Sequence, residues 1–359
     1  MIQVTVPFQP PKEEYEAMVS DIWLRNWLTN NGPLVNEMEL GLKEYLGLKH
    51  FLFVSNGTIA LQLAIKALGL SKEIITTPFS YVATTSSIVW EGCTPVFVDI
   101  DPESFNIDPA KIEVAITEET EAILATHVYG NPCDIEAIQR IADKHRLKVI
   151  YDAAHCFGTR YQGESVLKFG DISTISFHAT KLFHSVEGGG VVSQDPEVLK
   201  RLAYMRNFGH NGPESFDGMG INGKNSEFHA AMGLCNLKYA DDILAKRKRD
   251  TKHYNRWLDK LKLQKPVVAV GTEFNYAYYP VVFETEEACL KAFETLEMNR
   301  IFARRYFYPT LSSLEYVTSE PMPVAEDISR RILCLPLYYQ LTEVEIDMVC
   351  RIVLRSQYY

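Results

Sequence analysis

Ser176-Phe177-His178-Ala179-Thr180-Lys181 runs on into Glu187-Gly188-Gly189-Gly190-Val191-Val192. Residues 172–178 are apolar enough for a buried strand, and the glycine run reads as a tight turn into another. A lysine at an ordinary strand end is solvated, whereas Lys181 is set between two buried strands. A partly desolvated amine loses its proton more easily and can form a Schiff base with an aldehyde. Upstream, Val149-Ile150-Tyr151-Asp152-Ala153-Ala154-His155 reads as a further buried strand that ends in a carboxylate. Such a carboxylate is a helix cap or a salt-bridge partner unless another cation faces it, because burying it alone is costly.

An imine-forming lysine and a buried carboxylate are the two requirements of pyridoxal phosphate. The lysine anchors carbon C4′, and the carboxylate keeps the ring nitrogen protonated. His155 is within reach of the phenolic oxygen of such a ring, with a hydrogen-bonded core histidine as the plainer reading. Ser55-Asn56-Gly57-Thr58 ends one strand and opens a helix. Free N–H groups at a helix start bind phosphate, glycine admits the ligand to the main chain, and the Thr58 hydroxyl adds a donor. The same residues also suit a common turn with a cap. Ser176 can add a hydroxyl to that phosphate, and Tyr81 offers a flat ring for stacking, with Phe79 as its competitor.

Outward from these residues, strand-like and helix-like segments alternate between about 50 and 195. Strand character falls at 50–55, 74–78, 95–99, 122–128 and 148–152, with helical patterns at 58–68 and 135–145. That alternation predicts a mostly parallel sheet covered on both faces. Ligands of such sheets bind at the carboxyl ends of the strands, where Gly57, Tyr81, Asp152 and Lys181 fall. Helices are predicted at 227–237 and 241–263, the second long enough to bridge to a smaller α+β region. That region has strand character at 275–283 and helices at 286–299 and 343–356. The expected division is a large domain over 1–240, N-terminal segment included, and a small one over 241–359.

A chain of 359 residues can bury a full core, and 47% hydrophobic and 23% charged residues suit a globular protein. The net charge of −10 speaks against nucleic acid as the main partner. No apolar run approaches a membrane span, and the N-terminus lacks the pattern of a signal peptide. Seven scattered cysteines form no C-x-x-C pair. No metal site or disulfide framework is expected, and a cytoplasmic location is.

Taken in order, the motifs resemble a known family. They are Asn56-Gly57-Thr58-Ile59-Ala60-Leu61, Pro78-Phe79-Ser80-Tyr81-Val82-Ala83-Thr84, Asp152-Ala153-Ala154-His155, Ser176 to Lys181, and Glu187-Gly188-Gly189. Gly220-Ile221-Asn222-Gly223-Lys224-Asn225-Ser226-Glu227 and Leu335-Pro336-Leu337 extend the likeness over nearly the whole chain. Together they resemble the DegT/DnrJ/EryC1/StrS nucleotide-sugar aminotransferases. The resemblance implies an α/β fold of the pyridoxal-phosphate-dependent type I, like aspartate aminotransferase. It implies that Gly57, Thr58 and Ser176 hold the phosphate, that Tyr81 stacks on the ring and that Asp152 pairs with its nitrogen. His155 would then meet O3′, and Lys181 would form the Schiff base. Asn222 would reach the phosphate of a neighbouring subunit's cofactor, which implies a homodimer with shared sites.

Two departures fall on the substrate side. Asn222-Gly223-Lys224 carries lysine where the family has arginine, so a point charge replaces a bidentate fork. The small-domain turn Arg304-Arg305-Tyr306-Phe307-Tyr308-Pro309 lacks the family's histidine. Lys224, Arg304, Tyr306 and Tyr308 are the candidate contacts to sugar or diphosphate, with a solvated turn as the other reading of the arginines. The resemblance implies amino transfer from glutamate to a nucleotide-linked keto-deoxysugar. Trp27-Leu28-Thr29-Asn30-Asn31-Gly32 and the Lys181 motif make dTDP-4-keto-6-deoxyglucose the expected acceptor. A 3-keto sugar, a UDP-sugar, a sugar dehydratase and a non-catalytic regulator are the alternatives. A dehydratase on this scaffold has histidine at the Lys181 position.

Overall fold

Seven strands form the central sheet of the computed structural model, which describes residues 1–358. Their spatial order is Leu52–Val54, Gly189–Val192, Ile172–Ser176, Lys148–Asp152, Thr120–Thr126, Glu73–Thr76 and Thr94–Phe97. All run in one direction except Gly189–Val192, which is antiparallel to both neighbours. Alternate residues of a strand point to opposite faces, and both faces here are apolar. Val149 and Tyr151 enter one core cluster while Ile150 enters another. Phe53 and Val54 divide in the same way. A sheet buried on both sides reads as unbroken apolar runs, which is why the short strands were visible in the sequence.

The expected tight turn at 188–190 is not what the glycines make. Gly189 and Gly190 lie inside the strand, and the left-handed residue of this loop is Val186 (φ 67°). The glycines are needed for close approach. A Cβ on Gly190 would stand 2.0 Å from the Phe51 ring, and one on Gly189 would stand 2.6 Å from the Asn56 main chain.

The helix expected over 241–263 spans Ala240–Leu258. It stops early because the chain must turn back to pair Gln264 with Val282. Ala240 and Ile243 at its start pack into the core beside the large sheet, whereas Tyr254 and Leu258 pack into a second core. That second core is built on the antiparallel pair Tyr279–Val282 and Ile332–Leu335 with helices Glu286–Met298 and Glu343–Tyr358. The N-terminal strand Ile2–Gln3 joins this region by pairing with Ile301–Phe302. From there the chain runs to the lysine loop, where the Thr5 hydroxyl donates to the Thr180 carbonyl (3.2 Å) and His184 Nε2 donates to the Phe8 carbonyl (2.7 Å).

Among the described residues no helix is long and apolar enough to cross a membrane, and no acidic, histidine or cysteine group could hold a metal. The seven cysteines are buried and unpaired.

Candidate active site

At the carboxyl edge of the sheet lies a cavity of about 510 Å³, with Lys181 and Asp152 in its wall. Lys181 rides on the loop of residues 177–188, which main-chain bonds close at the base. Phe177 N donates to the Gly188 carbonyl (2.8 Å) and Ser185 N to the Phe177 carbonyl (3.0 Å). Burial pulls the Lys181 amine below its usual pKa, against Asp152, Tyr306 and Tyr81, which favour its charged form. A less protonated amine is a nucleophile and a base.

Asp152 ends its strand 5% exposed. Its Oδ2 accepts from Thr84 Oγ1 at 2.7 Å, and its Oδ1 from Ala154 N at 3.1 Å. Burial pushes the carboxyl upward, and the Thr84 and Ala154 bonds oppose this along with the Lys181 charge.

A phosphate-sized cradle lies beside them. The Asn56 side chain accepts from Ile59 N at 2.8 Å and so starts the helix Gly57–Ala67. The first N–H groups of a helix lack intrahelical acceptors, and Gly57, Thr58 and Ser176 line the cavity at this point. A Cβ on Gly57 would meet Ser176 Cβ at 2.9 Å, so glycine is what lets these two walls meet.

Tyr81 is 57% exposed and borders the cavity, whereas Phe79 is fully buried among Phe105, Tyr129 and Phe307. Of the two rings, Tyr81 is the one exposed at the cavity. His155 is buried, burial depresses its pKa, and its Nδ1 has no hydrogen-bond partner among the described residues. Arg304 and Tyr306 border the far side. Arg304 Nη1 donates to the Tyr306 hydroxyl at 2.7 Å, and Arg304 has no carboxylate partner among the described residues.

Three expected residues stand elsewhere. Asn222 pairs with Asn207, outside this chain's cavity. Lys224 Nζ donates to Asn207 Oδ1 at 2.7 Å and lies 4.8 Å above the Phe208 ring, also outside. Tyr308 lines an adjoining apolar cavity of about 440 Å³, and Arg304, Tyr306, Phe307, Ser80 and Tyr81 border both cavities. Arg305 is engaged internally, at 3.1 Å from Glu286 and 3.7 Å above the Tyr308 ring. Sequence reasoning passed over Thr84, Ser80, Tyr278 and Phe307 as site residues. Thr84 carried no more signal than Thr85, Ser86 and Ser87, which follow it in the same helix. Tyr278 and Phe307 carried none, because only the packing of distant segments brings them to the cavity.

The residues present fit pyridoxal phosphate. A helix start admits a phosphate, a half-buried amine faces the same space, and a buried carboxylate and an unpartnered histidine nitrogen remain for the ring. Such a site at the edge of this sheet defines a pyridoxal-phosphate-dependent transferase of fold type I. The chain belongs to the DegT/DnrJ/EryC1/StrS aminotransferase family, whose model matches residues 10–354. It is 43% identical to the dTDP-4-amino-4,6-dideoxy-D-glucose transaminase of Shigella dysenteriae, over 95% of each chain. The transaminase of the same name from Escherichia coli is 38% identical over 98% of each. The crystal structure of DesI in the presence of its TDP-sugar product superposes with a TM-score of 0.93. It is 31% identical, and the match covers 99% of this chain and 93% of that one.

Proposed function

We propose that this aminotransferase moves an amino group from glutamate to dTDP-4-keto-6-deoxyglucose, forming dTDP-4-amino-4,6-dideoxyglucose in the cytoplasm. The observation that carries the reading is the Lys181 amine, held half-buried in one cavity with Asp152 and the helix start at Gly57. The names of the two transaminases similar over nearly the full length support the choice of sugar.

When bound, pyridoxal phosphate supplies an electron sink for the carbon that loses its proton. Gly57, Thr58 and Ser176 would hold its phosphate, Tyr81 would cover one face of the ring, and His155 would approach its phenolic oxygen. Asp152 would hold the proton of its ring nitrogen. Lys181 Nζ takes the proton from glutamate Cα and, in the second half of the cycle, returns one to sugar C4. Arg304, free of any carboxylate, would bind the sugar diphosphate, with Tyr306 and Tyr308 beside it.

We propose in addition that two chains share each pair of sites and that each folds as a large domain to about residue 240 and a small one beyond it. Phe208, Phe216, Met219 and Ile221 expose an apolar face around Asn222, which supports a second copy covering it. Lys224 would then act from the partner's side of the cavity.

Purified protein should be yellow, lose that absorbance with glutamate, and sediment as two chains. Incubation with dTDP-4-keto-6-deoxyglucose and glutamate should give the 4-amino sugar by NMR. A protein left colourless by added cofactor would overturn the class, and amination only of a 3-keto or UDP-linked sugar would overturn the substrate.

A further inference from the structure

Three buried hydroxyls end on the carboxylate of Asp152. Thr126 Oγ1 donates to Ser80 Oγ at 3.0 Å, Ser80 Oγ lies 2.8 Å from Thr84 Oγ1, and Thr84 Oγ1 donates to Asp152 Oδ2 at 2.7 Å. None of the three is more than 2% exposed. The direction of every hydrogen follows from the last bond. An ionised carboxylate only accepts, so the hydrogen of Thr84 is committed to it. Each hydroxyl has one hydrogen, so Ser80 must supply the one between Ser80 and Thr84. Ser80 is then left as the acceptor for Thr126. The chain draws on three elements. Thr126 lies opposite Asp152 on the adjacent strand, Ser80 follows the strand Glu73–Thr76, and Thr84 sits in the helix Val82–Trp90.

We propose that Thr126, Ser80 and Thr84 are positioning residues that keep the proton shared by Asp152 and the cofactor's ring nitrogen on the nitrogen. The inference rests on the reading that Asp152 faces that nitrogen. A buried carboxylate is a strong base and competes for the proton. Donors to its charged form make it a weaker one. A short O–H···O⁻ bond is among the stronger ones, and hydroxyls in series polarise one another in a medium of low dielectric. The chain thus offsets the burial of Asp152, and the ring keeps the positive charge that makes it an electron sink. Thr84 carries most of the effect because it is the one of the three hydroxyls that touches the carboxylate.

The test is the ¹⁵N chemical shift of the ring nitrogen at fixed pH, in enzyme loaded with cofactor labelled there. Native enzyme should give a pyridinium shift. Thr84→Val, nearly the same shape, should move it toward neutral pyridine, and Thr84→Ser should restore it. Ser80→Ala should move it the same way by a smaller amount. A neutral nitrogen in native enzyme would overturn the assignment of Asp152 itself. A pyridinium unchanged in Thr84→Val, or equal shifts in Thr84→Val and Thr84→Ser, would reduce Thr84 to packing and overturn the proposal. Ser80→Ala indistinguishable from native would end the effect at Thr84 and overturn the chain. That variant removes one oxygen only, so it keeps the test open should Thr84→Val fail to fold.

Discussion

The two sides of the cavity are built by different means. The cofactor side stands on strand and helix ends. Asp152 and Ser176 close two parallel strands, Gly57 opens a helix, and Gly189 packs against that helix start. The opposite side is the turn of residues 304–309, whose Phe307 packs against Phe79 and Tyr129 beside the large sheet, and its arginines divide between roles. Arg305 is engaged by Glu286 and Tyr308, whereas the Arg304 side chain meets Tyr306, has no carboxylate partner among the described residues and borders both cavities. A side anchored in a sheet admits little variation, because every residue is fixed by the core behind it. The side chains of a turn that face a cavity can change with less effect on the fold than residues fixed in a sheet.

The comparison breaks most sharply at Lys181. Lys181→Ala should lower turnover by about a thousandfold or more, the scale of a lost acid–base and covalent residue. Pyridoxamine phosphate, which needs no lysine, should still bind with native affinity in a fluorescence titration. Loss of that binding would mean that Lys181 shapes the cofactor side instead of reacting on it.

On the other side, Arg304→Ala should raise KM for the nucleotide sugar roughly tenfold to a hundredfold, as for a lost charge-assisted bond. Bleaching by glutamate should proceed at the native rate. Arg305→Ala should leave KM nearly unchanged and lower Tm by about 2 °C, because its partners are internal. Equal KM effects of the two variants would erase the distinction drawn between these neighbours.

The smallest effect sharpens the cofactor side. Gly189→Ala sets a methyl group 2.6 Å from the Asn56 main chain, so the helix start must shift. Cofactor affinity should weaken about tenfold, with the KM for the sugar unchanged once the enzyme is saturated. Native affinity in the titration would show that the cradle tolerates displacement.

Much of this was legible in residue order. Lys148–Asp152, Ile135–His145 and Glu227–Leu237 begin and end where the sequence pattern sets them. Apolar runs and caps are local properties, and the strand ends carry the lysine, the carboxylate and the phosphate cradle with them. The glycine run misled because glycine serves both turns and close approaches, and only the position of Phe51 and Asn56 tells which.

Residue order alone implies the doubly covered sheet and the reactive groups at its edge, because apolar runs and the residues that end them are local properties. Packing alone leaves Tyr81 exposed while it buries Phe79, and pairs Arg305 with Glu286 while Arg304 keeps no carboxylate partner among the described residues. It alone brought Thr126, Ser80 and Thr84 onto one carboxylate. Those facts depend on contacts between segments tens to hundreds of residues apart. Packing creates such contacts, and no local pattern encodes them.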